Sequence, residues 1–181
     1  MPRIAIPAHD EAPARSRPIL DNVKNTLGFI PNVQRLMSIS PQALEGWAGL
    51  MGSLSKTLDL RTREGIALAV SETDSCDYCL AAHSYVATVI AKIPQDEITQ
   101  NRAGRSGDQK RQAALAFAKA LVEKRGKVSD EEFSAVRNAG WTDANIVEMI
   151  ALAAQFLLTN FMNNAVQTPI DFPKVEPAKV A

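Results

Sequence analysis

The 181-residue chain sets 20 basic against 20 acidic residues for a formal charge of zero, a length suited to one domain with a sizeable core and a charge balance that argues against nucleic acid as a partner. No run of about 20 apolar residues marks a membrane span, and the opening Met1-Pro2-Arg3-Ile4-Ala5-Ile6-Pro7 holds no long apolar leader core. A cytoplasmic setting is the expectation from these, where the only two cysteines, with two residues between them, stay reduced until used.

Breaker signals divide the chain into helices and leave little room for strands, which predicts an all-α fold: a compact multi-helix domain over 18–167 between extended arms at 1–17 and 168–181. Those two ends carry six of the ten prolines; laid across a neighbouring subunit, they would join a homo-oligomer. Pro18 opens a first helix that stops at Gly28, and a short helical segment follows at about 32–39. Ser40-Pro41 supplies an N-cap with proline in the first turn for a helix to about Lys56. Asp59 caps the next helix, and a further one is expected over about 74–92, with a short helix after Pro94.

A polar break at Gly104 to Gly107 precedes an amphipathic helix over about 108–125, closed by Gly126. Ser129 and Glu132 form a capping box for a helix ending at Gly140, and Thr142 starts the last one. Its residues Ile146, Met149, Ile150, Leu152, Phe156, Leu157 and Leu158 surround nearly the whole circumference, the pattern of a helix buried on several sides. It would pass through the domain centre or lie in a subunit interface. Asn160 and Asn163 punctuate it, and asparagine near a helix end more often satisfies backbone groups than lines a pocket. Trp47, Met51, Phe117 and Phe156 are read as core.

The chemistry concentrates in Cys76-Asp77-Tyr78-Cys79-Leu80-Ala81-Ala82-His83. On a helix, spacings of three and four bring side chains to one face, so two thiols and an imidazole would share a stripe. A C-x-x-C pair closes to a disulfide without long-range rearrangement. A helix start or a neighbouring imidazolium lowers a thiol pKa. Cys76 gains most from a helix start and Cys79 is the one four residues from His83, so the residues alone leave the attacking thiol open.

Other uses of the pair are weaker. A structural disulfide would close too small a loop to constrain the unfolded chain much. Zinc on Cys76, Cys79 and His83 would need His9 or an acidic residue as a fourth ligand. A c-type haem site would need histidine at position 80, which is leucine, and two inert buried cysteines remain an option. Upstream, Glu64 lies in the helix before the cysteines, so a helical hairpin would let it face His83 or Tyr78 and complete a nucleophile, base and orienter set. Taken alone, a solvated Glu64 paired to Arg61 or Lys56 is the default.

Glu64, Cys76, Tyr78, Cys79 and His83, together with Gly28-Phe29-Ile30-Pro31-Asn32, Val128-Ser129-Asp130-Glu131-Glu132, Ala139-Gly140-Trp141-Thr142-Asp143 and Asn160-Phe161-Met162-Asn163, resemble the alkylhydroperoxidase D-like group of the carboxymuconolactone decarboxylase superfamily, in its uncharacterised peroxidase-related branch. The resemblance implies a thiol peroxidase for organic hydroperoxides, without cofactor or metal. In it Cys79 attacks, Cys76 resolves, His83 is the base and Glu64 ends a proton relay. The best-studied members of the group carry a second histidine where this chain has Tyr78, a phenol with a pKa near 10 that is a poor base at neutral pH.

Turnover would need a dithiol reductant, for which the resemblance suggests a thioredoxin-like or lipoylated protein. The alternatives are a decarboxylase of the same scaffold acting on a lactone acid, with the cysteines incidental, and a redox-responsive or zinc-binding interaction protein without turnover.

Overall fold

A computed structural model describes residues 1–175, which form nine helices and no strand: α1 (Arg17–Leu27), α2 (Asn32–Met37), α3 (Pro41–Leu54), α4 (Leu60–Thr73), α5 (Asp77–Val89), α6 (Gln95–Arg102), α7 (Gln109–Glu123), α8 (Asp130–Asn138) and α9 (Asp143–Val166). The starts follow local chemistry. Side chains of Ser40, Asp59 and Asp108 accept the backbone N–H three residues on, while Ser129 with Glu132 and Thr142 with Asn145 close reciprocal capping boxes. Gly28, at φ 84°, ends α1 in the left-handed conformation that glycine adopts without a Cβ penalty.

The expected boundaries hold to within a few residues except at the cysteines. The helix foreseen from position 74 begins at Asp77, with Cys76 as its N-cap, and Asp74 instead terminates α4. Ser75, at φ 52°, makes the break between them. A non-glycine residue in that region is uncommon, and the reversal it creates folds α5 back along α4.

α4 is the central element. It packs against α5, α6, α7 and α9, and its stretch Ile66-Ala67-Leu68-Ala69-Val70 is wholly buried. One side joins Leu115, Phe117, Met149 and Phe156 in the main core. A second core gathers Leu20, Met37, Leu44, both cysteines, Tyr78 and Phe172 between α1, α3, α5 and the C-terminal segment. α9 lies against α3, α4, α5 and α7, yet Val147, Ile150, Leu158 and Phe161 stay on the surface. It is buried along one side and carries an apolar stripe on the other. By length and composition it is also apolar enough to cross a membrane, but its inner side is occupied by the rest of the fold.

Both end segments lie against the body of their own chain. The Arg3 N–H donates to the Val166 carbonyl at 2.8 Å, and Arg35 Nε donates to the Pro7 carbonyl at 2.9 Å. At the other end the Asn32 N–H donates to Asp171 Oδ2 at 2.7 Å. The remainder of the expected C-terminal arm, 176–181, lies outside the described residues.

Close approach of α4 to α7 requires Gly65, where a Cβ would stand 3.0 and 3.1 Å from the two methyls of Leu115. Leu115 is itself completely buried and has little room to yield. Gly65→Ala is therefore expected to lower stability by about 1–3 kcal/mol despite alanine's better helix propensity; a chemical denaturation midpoint equal to or above wild type would show that the contact relaxes at no cost.

Candidate active site

The α4–α5 reversal is held by the Cys76 N–H, which donates to the Ser71 carbonyl at 2.9 Å. Cys76 sits in extended backbone at the start of α5, and its sulfur accepts the Cys79 N–H at 3.4 Å. The thiol thus takes the place that a serine or aspartate oxygen usually fills at a helix N-terminus. There the partial positive charge of the helix favours an anion. Both cysteines are free and almost wholly buried.

Their hydrogen bond to one another divides the pair. With Cys79 as donor, Cys76 is pushed below the ordinary thiol range, while the same bond, followed by burial, pushes Cys79 well above it. The two sulfurs behave as one unit that releases its first proton more readily than its second. The charge of the singly deprotonated pair can rest on either sulfur, according to which receives the better donors.

Cys79 has donors of its own from α9. The Asn163 amide nitrogen donates to its sulfur at 3.2 Å. Thr159, whose hydroxyl donates to the Phe156 carbonyl at 2.8 Å, also bears on that sulfur. Ser71 reaches Asn160 Oδ1 at 3.5 Å. These polar groups are missing from the sequence-derived site, which gave Asn160 and Asn163 to the backbone. Their three-residue spacing in an otherwise apolar helix, one face shared, was the available signal.

The hairpin brings Glu64 onto His83. Glu64 is 7% exposed, and its Oε2 lies 2.9 Å from His83 Nδ1. It is neither solvated nor paired to Arg61 or Lys56; Arg61 donates to the carbonyls of Ala91 and Lys92 at the far end of α5. An ionised carboxylate can only accept, so Nδ1 carries the proton toward Glu64 and Nε2 is left to act as a base. Phe156 packs edge-on against the imidazole, with ring centroids 4.9 Å apart, and confines its rotation.

Tyr78 points elsewhere. Its hydroxyl donates to Asp171 Oδ1 at 2.7 Å and accepts the Val33 N–H at 3.1 Å, while Phe172 lies edge-on at 5.8 Å. Burial, reinforced by the bond to Asp171, pushes the phenol pKa far upward. Its hydrogen bonds join the start of α2 to the C-terminal segment and do not touch the Glu64–His83 pair. His9 lies in the N-terminal segment against Asp21 at 2.8 Å, and no three His, Cys, Asp or Glu side chains among the described residues are grouped to hold a metal ion. A cleft of about 800 Å³ opens beside Cys76, lined also by Ser71, Asp74, Arg102, Lys119 and Arg125.

Residues 41–123, which span α3 to α7, match the carboxymuconolactone decarboxylase family model. The fold is similar to that of an uncharacterised peroxidase-related protein from Ralstonia eutropha JMP134 with an alkylhydroperoxidase AhpD core (TM-score 0.83, 25% identity, covering 94% of this chain and 92% of that one). It is also similar to a peroxidase-related protein from Silicibacter sp. TM1040 (0.80, 22%, covering 93% and 91%). A third similar structure is the debrominase Bmp8, in a cysteine-to-alanine variant bound to 2,3,4-tribromopyrrole (0.76, 22%, covering 87% and 86%). No curated protein sequence matches. The middle of the chain thus matches the carboxymuconolactone decarboxylase family model, and the whole shares the all-α fold of alkylhydroperoxidase D-like, peroxidase-related structures.

The divided thiol pair has a titration signature. A group with lowered pKa ionises earlier as pH rises, so thiolate absorbance of the reduced protein should rise in two steps, one below and one above the range of a free thiol. Cys79→Ala removes the donor that lowers Cys76 and should move the first step upward. An unmoved first step would assign the lowering to the helix terminus alone.

Proposed function

We propose that the protein is a thiol-dependent peroxidase reducing organic hydroperoxides through a Cys76/Cys79 dithiol–disulfide cycle. The observation that carries this reading is the pair of adjacent reduced thiols at the start of α5, on the same hairpin as a buried couple formed by Glu64 of α4 and His83 of α5. The partial match to the carboxymuconolactone decarboxylase family model and the similarity to peroxidase-related structures support it.

The steps follow thiol chemistry. His83 takes a proton from the thiol pair, with Glu64 stabilising the imidazolium that results. The Cys79 thiolate attacks the peroxide: an S–O bond forms, the O–O bond breaks, and the departing alkoxide takes a proton to leave as alcohol. Sulfur is oxidised to the sulfenic acid and the peroxide is reduced. Cys76 then attacks that sulfur, forming the disulfide and releasing water. A dithiol reductant, thioredoxin-like or lipoylated, restores both thiols by exchange, attacking at Cys76, which faces the 800 Å³ cleft.

In the same reading the protein is cytoplasmic and a homo-oligomer, needing no metal, cofactor, membrane or nucleic acid. The exposed apolar stripe of α9 supports the assembly.

The similarity to a debrominase favours one other use of the same dithiol. A brominated aromatic would exchange its C–Br bond for C–H, the two thiols supplying two electrons and closing to the disulfide as bromide and a proton depart.

Reduced protein mixed with tert-butyl hydroperoxide should lose its thiols in stopped flow far faster than a free thiol does. Cys79→Ser is expected to abolish the fast phase, and Cys76→Ser to leave a sulfenic acid that can be trapped. His83→Ala should slow oxidation about 10²-fold. Oxidation at the free-thiol rate, with bromide release from 2,3,4-tribromopyrrole, would replace the peroxidase reading with the reductive dehalogenation.

A further inference from the structure

The two sulfurs compete for one charge, and the helix start favours the wrong one for the cycle above. Cys76 holds the N-cap of α5 and accepts the Cys79 N–H. What opposes this comes from two directions. Asp74 and Asp77 flank Cys76 and resist a negative charge there. On the other side, Asn163, one turn beyond Thr159 on α9, aims its amide nitrogen at the Cys79 sulfur from 3.2 Å, and Asn163 is 3% exposed. A hydrogen bond to an ionised acceptor is about twice as strong as a neutral one, and in a buried site it is not replaced by water when lost.

We propose that Asn163 selects Cys79 as the attacking sulfur, its amide N–H holding the charge of the thiol pair on Cys79 against the capping bond that draws it to Cys76. Asn163 is then a catalytic residue, in direct contact with the reacting atom. The proton lost by Cys79 passes to Cys76 or to His83 and no further group is needed.

The other end of the same amide has a use in the next state. Asn163 Oδ1 is buried and has no hydrogen-bond partner among the described residues, an arrangement that costs stability in the reduced protein. It shares its amide carbon with the nitrogen that touches the sulfur. When peroxide attack places an oxygen on Cys79, the sulfenic O–H acquires an acceptor there. The site is short of one hydrogen bond before oxidation and satisfied after it.

The proposal rests on the peroxidase reading only for the oxidant, and the test separates the two. Asn163→Ala and Asn163→Asp would each be placed in single-cysteine backgrounds, Cys76→Ser leaving Cys79 and Cys79→Ser leaving Cys76. Reaction would be followed with tert-butyl hydroperoxide and independently with chloroacetamide, which needs only a thiolate. Loss of a charge-assisted donor predicts that Cys79 slows about tenfold or more with both reagents, while Cys76 changes less than twofold.

Asn163→Asp preserves shape but offers an acceptor and a negative charge, so it should slow Cys79 at least as much as alanine does. If Asn163→Asp keeps the wild-type Cys79 rate, or if both sulfurs slow together, Asn163 acts by packing and the proposal falls. If neither cysteine outruns a free thiol toward the peroxide, the peroxidase reading fails. The chloroacetamide rates then still decide the role of Asn163.

Discussion

The buried Glu64–His83 hydrogen bond is the constraint around which the site is arranged. Placing a carboxylate in a nearly dry interior is costly unless it is paired, and the only way to pair it with an imidazole nineteen positions later is to bring two helices side by side in one register. The left-handed Ser75 and the Cys76 cap supply that register by ending one helix and starting the next within three residues. The same turn that aligns acid and base therefore also places the first thiol at a helix N-terminus. Pairing of Glu64 with His83 and capping of α5 by the Cys76 sulfur are one structural event.

Activation at Cys76 creates the difficulty that the rest of the site addresses. A thiolate that is too well stabilised by a helix start is a weaker nucleophile, because nucleophilicity falls with pKa. Such a sulfur is better suited to resolving and leaving than to attack. Cys79 is more basic and lies farther from the helix start, so it gains reactivity if something offsets the cost of its burial. α9 provides this, since its buried face turns polar at Thr159, Asn160 and Asn163 where it crosses α5. A single helix thereby supplies apolar core at Met149, Leu152 and Phe156 and hydrogen-bond donors one and two turns later.

The sequence was legible wherever the signal is local. Caps at Ser40, Asp59, Asp108, Ser129 and Thr142 act through the next three residues, and the helical hairpin that sets Glu64 against His83 could be foreseen because the Glu64 helix ends just before the cysteine helix begins. The start of α5 was misplaced because Asp74 is as good a cap as Cys76 by residue type, and nothing local announces that Ser75 adopts a positive φ. Glu64 had a solvated alternative because its burial depends on α6, α7 and α9 covering α4. Asn163 was missed for a related reason: its partner is 84 positions away, and an asparagine near a helix end has an ordinary local explanation.

Tyr78 illustrates how a position within a motif can leave the chemistry and enter the architecture. Standing between the cysteines, it begins α5 on the side opposite the relay, and its hydroxyl bridges a backbone donor of α2 and the carboxylate of Asp171. A histidine ring is shorter than a phenol and has no hydroxyl at that reach. The longer side chain instead ties the C-terminal segment, through Asp171 and Phe172, to the helix that carries the thiols. At this position the side chain closes the second core over the cysteines and stays apart from the Glu64–His83 pair, while the polar contact to the Cys79 sulfur comes from Asn163 of α9.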